Sequence, residues 1–343
     1  MKKWIFTGVS LIVVTVCLAS GKEQNKKPAK TSHSKGPVLL TVDFKQGVPQ
    51  KYKLVSERQI ALNLDPSGHS KRGGGNADRG KTQNLTEKLE VEMVYKPLQV
   101  DPYGYSIIEA NCLSVKATHG SPGGRSRSKA DAIESLAGKS FTLKITPTGK
   151  ITDYSSLEAL IKELGQKAFG GTDTKRGKIK DPDMIMDFVA VQWNIWDSIS
   201  SVKKPSKGLK TKSKWRSKLL APMPFVSKIG RDVEYKFAGV VESNDVSYAE
   251  ITSSYSISKS PPAIPMPYSG SFQMRGTFGF LQGYKVLSIA GTGRQLFDIE
   301  RGLIKSDTQH YKAGVSASIF GLGRDELKPN IEIDQTITIT LIE

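Results

Sequence analysis

Histidine, cysteine, acidic and glycine-rich positions are the places to look for chemistry in this 343-residue chain, and their spacing commits them to none. His33, His69, His119 and His310 form no pair at helical or strand ligand spacing. With Cys17 and Cys112 the only cysteines, a structural zinc site is not expected. The glycine-rich stretch 66–84 is not closed by Gly-Lys-Ser/Thr, so it is no phosphate loop. Gly291-Thr292-Gly293 sits between two apolar segments and reads as a turn. No Gly-x-Ser-x-Gly elbow occurs. Asp181 and Asp183 are acids at a helix start, where the dipole favours them. The expectation is a non-enzyme with no cofactor and no metal.

Two constellations remain. The first lies in Asp181–Ser200, DPDMIMDFVAVQWNIWDSIS. Asp181 suits an N-cap, and Pro182 suits the first helical position. At about 100° per residue, Asp183, Asp187, Asn194, Asp197 and Ser198 share one stripe. The rest of the circumference is apolar, which predicts a helix buried in a large core. Gln192 lies opposite the polar stripe, so its amide needs a partner. It either hydrogen-bonds inside the core or, with Trp193 and Trp196, lines a ligand cavity.

The second is the basic run 203–218. Lys203, Lys204, Lys207, Lys210, Lys212, Lys214, Arg216 and Lys218 occur there without one acid. They are either solvated charge that keeps the protein soluble or contacts to an anionic surface. The candidate partners are phospholipid head groups, acidic glycan or another envelope protein. Nucleic acid is not expected: the run has one aromatic residue, Trp215, and so no stacking series. The whole chain is basic as well, with 50 Lys and Arg against 33 Asp and Glu.

The elements around these residues are mostly strands. Residues 1–21 read as a secretory signal: Lys2 and Lys3, an apolar run, then small residues. They predict export to the periplasm or cell envelope. Cys17 is the candidate for lipidation, though Val16 before it is a poor fit to that signal. Residues 22–37 read as a flexible basic tether. The strands expected next include Val38–Phe44, Tyr52–Leu64 and Thr86–Leu98, the last two forming a hairpin. Ser128 is expected to cap a short helix to Ala137, and Ser155 with Glu158 to form a capping box. After the central helix the chain is again strand-rich to Ile342. The expected fold class is α+β, mostly β: curved antiparallel sheet wrapping a central apolar helix. Residues 38–201 form one β-rich half that ends in the helix, and 202–343 a second that packs on the same core. GKSFTLKITPTGKITDY faintly echoes GTGRQLFDIERGLIKSD, so the halves are candidates for duplication.

Several stretches carry a resemblance. Phe141–Tyr154, Gln192-Trp193 with Trp196, Pro222-Met223-Pro224, Pro267-Tyr268-Ser269-Gly270, and Phe297-Asp298 followed by Gly302 resemble a family of uncharacterised exported bacterial proteins. That family's architecture is similar to lipoprotein-carrier-like periplasmic folds, in which a curved sheet embraces helices. The resemblance implies a fold and no functional residue. Two function classes follow: an envelope structural or interaction module with a filled core, or a carrier of lipid or another apolar ligand that docks on anionic membrane.

Overall fold

The computed structural model describes residues 31–32, 36–64, 66, 82–120, 131–169, 184–225, 228–266, 278, 280–319 and 328–342. The signal, Cys17, Asp181, Pro182, Asp183, Ser128, residues 67–81 of the glycine-rich stretch and Pro267–Gly270 lie outside them.

Among the described residues twelve strands occur: β1 (Thr31–Ser32), β2 (Gln50–Asn63), β3 (Gln83–Val100), β4 (Ser106–Gly120), β5 (Ser140–Ile145), β6 (Ile151–Asp153), β7 (Lys214–Leu220), β8 (Gly230–Ser243), β9 (Val246–Ile257), β10 (Leu281–Asp298), β11 (Leu303–Ile319) and β12 (Asn330–Leu341). Two α-helices accompany them, α1 (Ser155–Phe169) and α2 (Ile185–Ser200). All strands belong to one antiparallel sheet in the order β1-β8-β9-β10-β11-β12-β2-β3-β4-β5-β6, with β7 also paired to β8. The fold is therefore mostly β, as the sequence predicts. The last strand, β12, closes onto β2 with Ile339 opposite Leu54. That pairing joins an N-terminal meander to a C-terminal one. α2 comes between the two meanders in the chain and packs across the join.

Period-two alternation sets the two faces. In β2, Tyr52, Leu54, Ser56, Arg58, Ile60 and Leu62 are buried, and the residues between them are not. In β12, Ile331, Ile333, Gln335, Ile337, Ile339 and Leu341 are buried. The outward face instead carries cross-strand ion pairs: Lys51 to Glu92 at 2.8 Å, Lys88 to Glu57 at 2.8 Å and Lys312 to Asp334 at 3.1 Å. α2 lies on the inner face, and thirteen of its sixteen residues are buried. Edge-to-face rings hold it there, Phe188 against Phe141 at 6.2 Å and Trp196 against Tyr95 at 5.3 Å.

Several local expectations need correction. Val38–Phe44 is not a strand; Val38 makes one isolated bridge to Leu209. The rest of that stretch is clamped between two hairpin turns. The Val42 N–H donates to Pro147 O at 3.0 Å, and the Asp43 N–H donates to Gly302 O at 3.1 Å. Those turns belong to the two segments that echo each other in sequence. Ser155 does not cap α1; its N–H and hydroxyl both donate to Asp153 Oδ1, at 3.0 and 2.8 Å. Asp131 caps the short helix Ala132–Leu136, which is 3-10, by accepting from the Ile133 N–H. Gly291-Thr292-Gly293 is not a turn but the middle of β10. Glycine is required there by space: a Cβ at Gly291 would lie 2.2 Å from His310 O, and one at Gly293 would lie 2.3 Å from the Tyr255 hydroxyl.

Gly149 closes the first of the two clamping turns with φ +86°, and a Cβ there would sit 2.7 Å from Trp196 Cβ. Gly149→Ala therefore combines left-handed strain with a collision against α2. It is expected to cost about 2 kcal/mol, read as a lower urea midpoint with unchanged slope.

Candidate functional site

Most of the polar stripe of α2 is turned away from water, with Asp197 half-buried at its C-terminal end. Asp187, Asn194 and Ser198 are each buried to 1% exposure, so every polar atom on them needs a protein partner. The sheet supplies these from inward positions of its strands, and the result is a polar seam in two parts.

At the N-terminal part, three donors converge on Asp187. Ser56 Oγ donates to Oδ1 at 2.7 Å, Gln335 Nε2 to Oδ1 at 2.7 Å and Arg58 Nη1 to Oδ2 at 2.6 Å. Arg58 Nε donates to Glu87 at 2.5 Å. The Tyr311 hydroxyl donates to Gln335 Oε1 at 2.9 Å. His119 lies between Glu87 and Asp131, with ring nitrogens 3.4 and 3.2 Å from their carboxylates. Burial alone would push Glu87 up, but Arg58 and His119 more than offset it and hold it below the usual carboxylate range. Burial raises Asp187 despite Arg58 and Ser56, yet it remains the acceptor for three donors. Burial works against a charged His119, and the two carboxylates outweigh it, taking the imidazole up to about 10. It is the imidazolium at neutral pH.

At the C-terminal part, Arg231 is fully buried and lies between the rings of Tyr255 and Tyr311, 4.5 and 4.6 Å from their centroids. Its Nη2 donates to Gln309 Oε1 at 2.5 Å. Asn194 Nδ2 reaches the same oxygen at 3.5 Å, and Gln309 Nε2 donates to Asp307 at 2.6 Å. The Ser198 hydroxyl donates to Gln295 Oε1. Asp197 accepts from Ser217 and from the Tyr235 hydroxyl, each at 2.8 Å. Burial pushes Asp197 up to about 6 and Asp307 up to about 7. Among the described residues, Arg231 Nε, Arg231 Nη1 and Asn194 Oδ1 lack a hydrogen-bond partner. This part of the seam is therefore the less satisfied of the two, and its acids titrate near neutrality.

Of the residues singled out from sequence, Gln192 is wholly buried and its amide is engaged. The Tyr95 hydroxyl donates to Oε1 at 2.7 Å, and Nε2 donates to Phe188 O at 3.4 Å. Trp196 is closed in by Tyr95 and by Phe44, the latter at 5.7 Å edge-on. Trp193 is half-buried against Tyr154 at 5.3 Å. Three clefts of about 440, 420 and 660 Å³ are described, and Gln192, Trp193 and Trp196 line none of them. Cys112 is buried against Met93, its thiol pushed up to about 12 by burial.

The basic run is brought together at the surface. Lys203, Lys204, Lys207, Lys210, Lys212, Lys214, Arg216 and Lys218 are all exposed. A 3-10 turn, Pro205–Lys207, carries the first part, and β7 carries Lys214, Arg216 and Lys218 on the outward face. Their inward neighbour Trp215 anchors the strand: its Nε1 donates to Ser198 O at 2.9 Å, and its ring stacks on Tyr235 at 5.6 Å. Lys214 and Arg216 share Glu234, at 2.6 and 3.4 Å. Among the described residues, Lys203, Lys204, Lys207, Lys210 and Lys212 form no ion pair.

Among the described residues no group of three His, Cys, Asp or Glu is placed to hold a metal ion, and no helix is long and apolar enough to cross a membrane. No family model matches the chain. No curated protein matches it either. Three solved structures show low similarity. A structure of lipovitellin, described for its lipid–protein interactions, has TM-score 0.40 and 10% identity, over 88% of this chain and 26% of that one. The chain thus spans about a quarter of the lipovitellin chain. An exported protein with a YmcC-like fold from Bacteroides fragilis has TM-score 0.22 and 8% identity, over 86% and 98%. An outer-membrane channel from Pseudomonas putida has TM-score 0.16 and 8% identity, over 87% and 97%. Scores this low carry no functional argument.

Proposed function

We propose that this chain is a non-enzymatic interaction module of the cell envelope. A sheet clamped onto α2 serves as its platform, and Lys203–Lys218 serves as its contact surface for an anionic partner. The carrying observation is that eight cations of one sixteen-residue stretch are all exposed, five of them without an acid partner among the described residues. Trp215 fixes the β7 part of this stretch to the helix core, so Lys214, Arg216 and Lys218 are held in place on the outer face. The interior supports the same reading over a carrier. A carrier needs space beside Trp193 and Trp196; among the described residues, Tyr95 and Tyr154 pack on those rings and the Gln192 amide is engaged. Placement in the envelope rests on the signal-like residues 1–21.

The test is equilibrium binding of the mature protein to phosphatidylglycerol vesicles, phosphatidylcholine vesicles and polyglutamate. An anionic probe is expected to bind. Replacing Lys203, Lys204, Lys207, Lys210 and Lys212 by Gln is expected to weaken it on the order of a hundredfold at low ionic strength, with the melting temperature unchanged. Binding to no anionic probe, or equal binding by the variant, overturns the reading. Lipid that co-purifies and is shed on unfolding would establish a carrier instead.

A further inference from the structure

We propose that β7 is a docking edge for an extended acidic polypeptide, which adds to the sheet as a further antiparallel or parallel strand. The inference rests on the interaction-module reading and specifies its partner.

Among the described residues β7 pairs on one side only, with β8. The phase of that ladder is fixed at both ends. The Ala221 N–H donates to Ile229 O at 2.7 Å, and the Phe237 N–H donates to Ser213 O at 2.9 Å. Antiparallel ladders alternate bonded and non-bonded pairs. With Trp215 opposite Tyr235 and Ser217 opposite Val233, the odd-numbered residues of β7 turn their backbone groups toward β8. Lys214, Arg216 and Lys218 turn theirs toward the free edge. The same three residues carry the exposed cations of the outer face. An added strand would thus meet main-chain donors and acceptors in the plane of the sheet. Its alternate side chains would lie beside a Lys-Arg-Lys row.

Charge decides which strand fits. Cations on an edge discourage pairing with another cationic or apolar edge, and this is their ordinary protective role. They do not repel a strand with Asp or Glu at every second position, since opposite charges in cross-strand register attract. Glu234 is shared by Lys214 and Arg216, while Lys218 lies opposite Asp232 in the ladder and donates to Ser260 Oγ at 2.7 Å, so the three cations of β7 face two acids of β8. The row is left with excess positive charge, and Lys203 to Lys212 extend it. The neighbouring edge already receives an extended segment. β1 of this same chain pairs with β8 beyond the end of β7, Thr31 opposite Val241 and Ser32 opposite Val240.

The probe is a ten-residue peptide of alternating Thr and Glu, labelled at one end, titrated against the full mature chain. Two controls carry N-methyl groups on every second amide, in opposite phases, with the charge unchanged. Binding of the parent peptide is expected, with one phase of methylation weakening it at least about tenfold and the other doing little, since only one set of amides faces β7. Arg216→Pro removes a free-edge N–H without touching the ladder to β8. It is expected to bind about tenfold more weakly than Arg216→Gln, the two variants melting alike. Equal affinity of both methylated peptides with the parent would show attraction by charge alone, and absence of peptide binding would show a purely protective edge. Either result overturns strand addition. Vesicle or polyglutamate binding lost with the five lysines would still stand, so failure here is separable from failure of the wider reading.

Discussion

Arg58→Leu is expected to lower the unfolding free energy by about 3–5 kcal/mol, because it strands two acids in the core. Arg58 and Asp187 are 2% and 1% exposed, and Glu87 is 4% exposed. Water cannot replace the guanidinium. Asp187 keeps Ser56 and Gln335 as donors but loses its cation, and Glu87 is left with His119. The loss reports an uncompensated burial rather than the worth of the pair. Replacing Arg58, Glu87 and Asp187 together by apolar residues should therefore recover much of it. Lys88→Gln, which breaks the solvated Lys88–Glu57 pair on the other face, is the matched control and should leave the unfolding curve in place. Urea unfolding followed by tryptophan fluorescence separates the outcomes. A midpoint unmoved by Arg58→Leu would mean that the seam does not hold α2 to the sheet.

Much of this seam was open to sequence reasoning. Tyr52, Leu54, Ile60 and Leu62 share the inward face of β2, and the same parity forces Ser56 and Arg58 inward with them. Gln335 interrupts Ile331, Ile333, Ile337 and Ile339 in the same way. A polar residue on an apolar face needs a partner, and the polar stripe of α2 is the complementary partner set. The apolar circumference of α2 predicts its burial, and burial obliges its polar stripe to find partners on the sheet. Which inward residue meets which helix residue was not legible. Asp187 and Arg58 lie 129 positions apart, and their meeting depends on β12 closing onto β2. Two errors share another cause. Gly291 and Gly293 have the spacing of a turn but are mid-strand positions where neighbouring strands leave no room for a Cβ. Leu40–Phe44 has the composition of a strand, but its backbone groups are taken by two hairpin turns that only the folded sheet brings near. The basic run was legible as charge. That half of it forms an edge strand anchored by Trp215 was not, because edge position is a property of strand order.

Thermal stability should be greater in mild acid than in alkali, a consequence of the C-terminal part of the seam. Asp197 and Asp307 are raised from 3.8 to about 6 and about 7 by burial, and the Asp197 charge adds to the rise at Asp307. A carboxyl with a raised folded value contributes stability that is fully present below its unfolded value. That contribution is lost as pH rises through the folded value. Between about pH 4 and 7 the unfolded chain has released these protons while the folded chain still holds them. Stability falls across that window by on the order of 7 kcal/mol at most for the two acids together, the half-buried Asp197 contributing the smaller share. His119, raised to about 10, extends the decline in the same direction above its unfolded value near 6.5. Glu87, held low by Arg58 and His119, acts oppositely and limits the gain at strongly acidic pH. Tyr235, Ser217 and Arg231 reduce the cost of ionising Asp197, and Gln309, Arg231 and Gln295 that of Asp307, without abolishing it, for burial remains the largest influence on both. The melting temperature measured by circular dichroism should therefore be higher at pH 5 than at pH 8.5. Asp307→Asn, which keeps the shape and removes the titration, should flatten that slope. A melting temperature that rises from pH 5 to pH 8.5 would show that both acids are ionised in the folded protein. Arg231 would then be their paired cation rather than a guanidinium held by two tyrosine rings and Gln309.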